Sequence, residues 1–97
     1  MISKKFIINN PTGLHIRPAG KLCEAAMNYE CHVGFLYGDN GSEANCKSIL
    51  SILGACIRAG DTIELVCDGG DEEAAMEELS ALVESGFGEI LKGDAEQ

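Results

Sequence analysis

The feature that most limits how this chain can fold is that strand-like and helix-like patterns of apolar residues follow one another along it. Apolar and polar residues alternate, as in strands with one buried face, over residues 31–37 and 62–67. Residues 4–9, which carry an apolar run at 6–8, and residues 42–46, after a hairpin turn, are predicted to be two further strands. Apolar residues recur every three or four positions, as in amphipathic helices, from Ile16, from Ile49 and over residues 72–84. Glycine, asparagine and aspartate separate the segments. The predicted order is therefore strand, helix, strand, strand, helix, strand, helix.

Two residues indicate where the first two helices begin. Pro18 is tolerated only in a first helical turn, so the first helix is predicted to start one or two residues before it. Ser48 directly precedes the second helical segment and is predicted to be its N-cap. His15 is accordingly placed at the N-terminal edge of the first helix.

The segments predict an α+β fold, because the strands have one apolar face and the helices suffice to cover only that face. The expected architecture is an open-faced β-sandwich, with a four-stranded antiparallel sheet covered on one face by three helices. The 97 residues fit a single domain. We expect it to span residues 1–97, with a flexible tail in the last few residues.

The charge of the chain is strongly negative and unevenly placed. Seven basic and sixteen acidic residues give a formal net charge of −9. Residues 1–67 hold six of each sign, whereas residues 68–97 hold ten acidic residues and only Lys92 as a base. Unspecific binding to nucleic acid or anionic lipid needs clustered lysine and arginine, so the composition argues against both. The neutral first two thirds can still hold a locally positive site.

No membrane-spanning or export segment is predicted. The longest mostly apolar run, residues 49–57, has nine residues and contains Ser51 and Gly54, whereas a spanning helix needs about 20. The beginning of the chain lacks the apolar stretch of a signal peptide. We expect a cytoplasmic protein without membrane insertion.

Cysteine usage indicates no metal site. The five cysteines, at positions 23, 31, 46, 56 and 67, form no CxxC pair. This pattern is typical of reduced, mostly buried thiols in a cytosolic protein. Zinc needs paired ligands, and only His32 has an adjacent cysteine. We expect neither a metal nor another cofactor.

The segment PTGLHIRPAG, residues 11–20, carries the clearest chemical signal. It places His15 at a helix N-terminus and Arg17 two residues later. The backbone N–H groups of a first turn and the positive end of the helix dipole favour an anion. A phosphoryl group on His15 would be bound by those N–H groups and by the guanidinium. From residue types alone, an incidental loop histidine stays an alternative.

Four stretches together point to a known family: GLHIRPA at residues 13–19, KSIL at 47–50, RAGD at 58–61 and GFGE at 86–89. Over nearly its whole length the chain resembles HPr, the histidine-containing phosphocarrier protein of the bacterial phosphoenolpyruvate-dependent sugar phosphotransferase system (PTS). The predicted order of elements matches the fold of that family. The spacing between the histidine and serine motifs differs by a short insertion, placed in the hairpin at residues 38–42.

The resemblance implies a phosphoryl carrier rather than an enzyme. His15 would accept a phosphoryl group on a ring nitrogen from the phosphohistidine of Enzyme I and pass it to a histidine of an enzyme IIA domain. Arg17 would neutralise the phosphate and help to align the transfer. Phosphoryl transfer depends mostly on positioning and charge stabilisation, which a small protein can supply.

The resemblance also implies a regulatory site and a partner surface. Ser48 would be phosphorylated by an HPr kinase/phosphorylase, and the product could recruit a transcriptional regulator. As an N-cap, Ser48 would place the added charge at the positive end of the helix dipole. Ile49 and Leu53 are expected in the core. The partner surface is predicted to include Leu14, Ile16, Lys21 and Leu50.

Three other functions stay open at this point. A specialised paralogue, with a regulatory role or in another phosphotransfer branch, would keep His15 and Arg17 but differ in its partners. It is favoured by the sparse basic charge of the first helix, where Lys21 is followed by Glu24. A docking module that is never phosphorylated would not need His15. A small metal- or ligand-binding domain would need the paired ligands that are missing.

Overall fold

The strand segments form one antiparallel sheet in the computed structural model, which describes residues 1–88. The strands are β1 (Ile2–Ile7), β2 (His32–Tyr37), β3 (Ser42–Asn45) and β4 (Thr62–Asp68). Their order across the sheet is β1-β4-β2-β3, so β4 pairs with both β1 and β2. The predicted flexible tail falls in residues 89–97, outside the described residues.

Three α-helices cover one face of this sheet. They are α1 (Ile16–Ala26), α2 (Ile49–Gly54) and α3 (Glu72–Glu84), and a 3-10 turn at Gly86–Gly88 follows α3. α3 packs on β1 and β4, and α1 packs on both α2 and α3. The predicted α+β open-faced sandwich is confirmed. None of the helices within residues 1–88 combines the length and the apolar character that a membrane crossing requires.

The core lies between the sheet and the helices, because alternate strand residues point towards the helices. Ile63, Leu65 and Cys67 of β4 are buried, as are Val33 and Phe35 of β2. These inward positions meet the apolar faces of the helices in one hydrophobic cluster. Removing this apolar surface from water is the main favourable term that holds the layers together.

β1 differs most from its prediction. The apolar run at residues 6–8 predicts a strand over residues 4–9, whereas β1 runs over Ile2–Ile7. At Ile8 the hydrogen bonds pass to the loop in front of β4: its N–H donates to the Asp61 carbonyl at 2.8 Å, and its carbonyl accepts the Gly60 N–H at 2.7 Å. The regular ladder therefore ends one residue earlier than the apolar pattern does.

The cysteines are all free thiols. Cys31, Cys46 and Cys67 are buried, Cys23 is half-buried and Cys56 is exposed. Burial raises the pKa of the Cys46 thiol and raises the pKa of Cys67 to about 11. These thiols are therefore protonated near neutral pH and are poor nucleophiles. In the described part of the chain, no group of three or more His, Cys, Asp or Glu side chains could hold a metal ion.

Candidate functional site

His15 is the N-cap residue of α1. Its backbone is extended, with φ −72° and ψ −176°, and its carbonyl accepts a helical hydrogen bond from the Ala19 N–H at 2.8 Å. Its side chain is exposed and makes no capping hydrogen bond within the described residues. The backbone thus fixes the residue at a helix terminus, while its imidazole is accessible.

The first turn of α1 suits an anion. The helix begins at Ile16, two residues before Pro18, as predicted. The N–H groups of Ile16 and Arg17 have no acceptor inside the helix, and Pro18 has no N–H. The first turn of α1, which is described in full, holds no acidic residue. With the exposed Arg17 guanidinium, the helix end forms a positive region next to His15.

The loop in front of His15 is held by the loop that follows α2. The Leu14 N–H donates to the Ile57 carbonyl at 3.0 Å. Gly13 has φ +64°, and a Cβ there would lie 2.5 Å from the same carbonyl, so this close approach requires glycine. Leu14 itself is 3% exposed. The prediction of Leu14 in the partner surface is therefore corrected, because its side chain belongs to the core.

Sequence reasoning missed Asn10 and Ile57, the two residues whose polar groups hold this loop. Asn10 is fully buried, and its side-chain Nδ2 donates to the Gly13 carbonyl at 2.8 Å. In the sequence Asn10 stands beside Asn9 in a turn-like cluster, and Asn9 is exposed. No local pattern separates the two, and the contact with Ile57 exists only in the folded chain.

Ser48 is the N-cap of α2, as predicted. Its backbone is extended, and its Oγ accepts the Ser51 N–H at 3.2 Å. Its neighbour Lys47 donates from Nζ to the Tyr29 carbonyl at 2.6 Å, which ties the start of α2 to the chain that leaves α1. The hydroxyl of Ser48 thus has a structural role, and its phosphorylation stays a prediction.

Exposed apolar side chains accompany both helix starts. Ile16 is 62% exposed, Ile49 41% and Leu50 82%. α1 packs on α2, so these side chains lie in the first turns of two adjacent helices, after His15 and after Ser48. Exposed large apolar side chains grouped in this way are typical of an interaction surface.

The structure refines the expectations for three residues of α1 and α2. Ile49 was expected in the core but is exposed, because Ile52 is the fully buried residue of α2. Leu53, also expected in the core, is half-buried against it. Lys21 is exposed, but its Nζ donates to the Phe87 carbonyl at 2.7 Å. The ammonium of Lys21 is therefore engaged by the turn that follows α3.

His32, the second histidine, is paired on the sheet. Its Nε2 lies 2.7 Å from Glu43 Oε2, between β2 and β3. Gly34 leaves the space for this pair, since a Cβ there would lie 2.8 Å from the Glu43 carboxylate and 2.8 Å from the Ala44 carbonyl. Gly34 thus allows β2 and β3 to approach closely, and His32 pairs with Glu43 on the sheet.

Comparison with known proteins assigns the family. A family model described as the PTS HPr component phosphorylation site matches residues 2–85. The chain belongs to the PTS HPr family. That match includes both predicted modification sites, His15 and Ser48. It also includes every residue of the four strands and the three α-helices.

Two similar proteins are named as phosphocarrier proteins, and each aligns with this chain over most of its length. The phosphocarrier protein HPr of Mycoplasma genitalium is 37% identical over 83 residues, which are 84% of this chain and 93% of that protein. The phosphocarrier protein NPr of Escherichia coli is 38% identical over 82 residues, 84% of this chain and 90% of that protein.

A solved structure agrees with the fold. The crystal structure of HPr-C-His from Thermoanaerobacter tengcongensis superposes with a TM-score of 0.86 at 34% identity, covering 94% of this chain and 100% of that one. The family model, the relatives and this structure agree that the chain is a phosphocarrier protein of the PTS rather than a catalytic enzyme.

Proposed function

We propose that the chain relays a phosphoryl group from Enzyme I to an enzyme IIA domain by way of a phosphohistidine at His15. The observation that carries this proposal is the accessible imidazole at the N-cap of α1, in a chain of the PTS HPr family. The positive region formed by the first turn and Arg17 supports it, because that region can hold the phosphoryl oxygens.

Each transfer exchanges one N–P bond for another. A ring nitrogen of His15 that carries a lone pair attacks phosphorus as the bond to the donor's ring nitrogen breaks. The proton of the imidazole stays on the other ring nitrogen of His15. The phosphoryl oxygens are bound by the N–H groups of Ile16 and Arg17 and by the guanidinium. Alignment and charge stabilisation are the main requirements of such a step.

The exposed apolar side chains support docking of the phosphoryl donor and acceptor. Ile16 directly follows His15, and Ile49 and Leu50 directly follow Ser48, and all three side chains are exposed. A partner that covers them gains apolar burial next to the reacting groups. Enzyme I and enzyme IIA domains are the proposed partners, and the proposed relay operates in the bacterial cytoplasm.

Phosphorylation of Ser48 by an HPr kinase/phosphorylase is the proposed regulation, with a transcriptional regulator as a further partner of the product. It is supported by the position of Ser48 at the N-cap of α2, directly before the exposed Ile49 and Leu50, in a helix that packs on α1. A phosphate there would meet the positive helix end and would add charge beside the docking surface.

A specialised paralogue is the second candidate. Arg17 and Lys21 are the only basic residues of α1, and the Lys21 ammonium is engaged by the Phe87 carbonyl. The helix therefore offers little free positive charge to an acidic partner. In this form the relay chemistry at His15 is the same, but the phosphoryl group goes to a regulatory acceptor rather than to general sugar transport.

Onward transfer separates these proposals. The chain is first labelled with radioactive phosphoenolpyruvate and Enzyme I, freed of Enzyme I, and mixed with individual enzyme IIA domains of the same host. Loss of label from the chain and its appearance on sugar-specific IIA domains supports the general relay. Transfer to a regulatory acceptor alone supports the paralogue. Label that stays on the chain with every acceptor contradicts both.

A further inference from the structure

We infer that Asn10 is a positioning residue for His15, because its buried amide fixes the peptide group that leads the chain into α1. This inference deepens the proposed function and rests on His15 being the phosphoryl acceptor. Asn10 does not touch the reacting atoms in this account. It acts through the loop that it holds.

The peptide group between Gly13 and Leu14 is held at both of its ends. Its carbonyl accepts the Asn10 Nδ2–H at 2.8 Å, and its N–H donates to the Ile57 carbonyl at 3.0 Å. The two bonds attach opposite ends of one planar unit to different parts of the fold, so the unit cannot rotate without losing one of them. The next residue along the chain is His15.

The same asparagine closes the turn from its backbone. The Gly13 N–H donates to the Asn10 carbonyl at 3.2 Å, so Asn10 bonds both backbone polar groups of Gly13. Its Nδ2 also lies 3.4 Å from the Thr12 hydroxyl, which gives the amide a second acceptor. A left-handed residue, Gly13 at φ +64°, is thereby held in one conformation.

The Asn10 side chain is buried, yet its polar amide contributes hydrogen bonds to the loop rather than apolar contacts to the core. Asn10 is 0% exposed, and a buried amide is costly unless it is hydrogen-bonded. An apolar side chain would fill the space with more hydrophobic stabilisation, but it would remove the shorter of the two hydrogen bonds to the Gly13 carbonyl, leaving the one from the Thr12 hydroxyl at 3.5 Å. With asparagine at this position the protein forgoes some apolar burial, and the loop is held in one geometry.

Loop geometry matters here because His15 follows Leu14 directly and caps α1. Freedom at the Gly13–Leu14 peptide would let the imidazole move relative to Arg17 and the first-turn N–H groups. In phosphoryl transfer, displacement by about 1 Å can slow the reaction about 100-fold. Loss of the Asn10 donor is therefore expected to act on rate more than on stability.

The test compares Asn10→Leu, which keeps the branching of the side chain but is larger and has no polar atoms, and Asn10→Asp, which keeps the shape and size but replaces the amide donor. Leu79→Ala is the control, because it removes core contacts in α3, where Leu79 is fully buried, and leaves the loop intact. Three quantities are measured: Tm, the rate of phosphorylation, and amide hydrogen exchange by NMR. Phosphorylation is followed both with Enzyme I and with phosphoramidate, a small chemical donor.

We expect the Asn10 variants to be phosphorylated at least tenfold more slowly with both donors. Exchange of the Leu14 amide should be at least tenfold faster, while that of Leu65 in β4 follows the change in global stability. Leu79→Ala should lower Tm and keep both the rate and the protection of Leu14. Where Asn10→Leu does not fold, the smaller Asn10→Ser is measured beside Asn10→Asp.

Wild-type rates in the folded Asn10 variants would overturn the inference. So would a slowing that Leu79→Ala reproduces at an equal shift of Tm, since this would be an effect of stability alone. A wild-type chain that no donor phosphorylates would contradict the proposed function. In that case a change in Leu14 exchange would show only that Asn10 holds the loop, and the role in phosphoryl transfer would be overturned.

Discussion

Exposed and buried residues are interleaved around the candidate site. Leu14, Pro18 and Ala19 are buried, whereas His15 and Arg17 are exposed. The buried residues anchor the start of α1 in the core, and the exposed ones face a reactant. The sequence could predict this division only in part. Pro18 indicates the helix start correctly, but the burial of Leu14 and the bond from its N–H to the Ile57 carbonyl depend on contacts between segments distant in sequence.

Ser48 allows a test of coupling between the two helix starts. Ser48→Asp is expected to slow phosphorylation of His15 by Enzyme I, because a negative charge beside the docking surface opposes an acidic partner. Initial rates with phosphoenolpyruvate and Enzyme I measure this effect. Ser42→Asp is the matched control, since it adds the same charge at an exposed position of β3. Equal rates for Ser48→Asp and the wild type would contradict the coupling.

The same residue makes a prediction for stability. Ser48→Ala removes the acceptor of the Ser51 N–H and should lower the free energy of unfolding by about 1 kcal/mol. Denaturant unfolding measures this difference. A variant as stable as the wild type would show that the cap contributes little to the fold.

At the scale of elements, local patterns predicted helices better than strands. The structure places α3 at Glu72–Glu84, the range predicted from its apolar spacing, with Glu72 and Glu73 in its first turn. β1 was displaced because its hydrogen bonds, not its apolar residues, decide where the ladder ends. The His32–Glu43 pair could not be predicted either, since the register of β2 and β3 brings the two residues together.

Two glycines form a matched pair for testing the loop and the helix. Gly13→Ala should lower the free energy of unfolding by at least about 1 kcal/mol, because it adds strain at φ +64°. Its new Cβ would also clash with the Ile57 carbonyl. Gly20 lies inside α1, and no atom lies within 4 Å of the Cβ that an alanine would add. Gly20→Ala should therefore raise the free energy of unfolding by about 0.5–1 kcal/mol. Chemical denaturation measures both, and shifts of the same sign would contradict the account.

At the scale of the whole molecule, Asp71 connects the chain that leaves α1 to the start of α3. Its carboxylate accepts the Glu30 N–H at 2.9 Å and the Cys31 N–H at 3.0 Å. The Glu30 N–H, followed by the other bonds to the carboxylate, holds the pKa of Asp71 below its ordinary value of 3.8. A carboxyl whose pKa is lower in the folded state stabilises the fold above its unfolded pKa.

Acid should therefore remove this stabilisation. Asp71→Asn is expected to be less stable than the wild type at neutral pH, and the difference should shrink as pH falls below 3.8 towards the folded pKa of Asp71. Unfolding curves across this range measure the difference, with Asp39→Asn in the exposed hairpin turn as control. A difference that stays constant from neutral to acid pH would contradict the assignment.

The fold class followed from the sequence because single-faced strands and three amphipathic helices leave few ways to bury all apolar faces. The strand order β1-β4-β2-β3 did not follow, because it depends on contacts between distant segments. The uneven charge has a counterpart in the structure: α3 lies in the acidic part of the chain, while His15 and Arg17 lie in the neutral part. A locally positive site is therefore compatible with a net charge of −9.

The most direct test of the account is phosphorylation of the whole chain by phosphoenolpyruvate and Enzyme I of the same host, read by intact mass before and after mild acid. His15→Ala and His32→Ala form a matched pair, because each removes one exposed histidine. The account predicts one acid-labile phosphate on the wild type and on His32→Ala, and none on a folded His15→Ala. Phosphate on folded His15→Ala, or none on the wild type with an active Enzyme I, would contradict it.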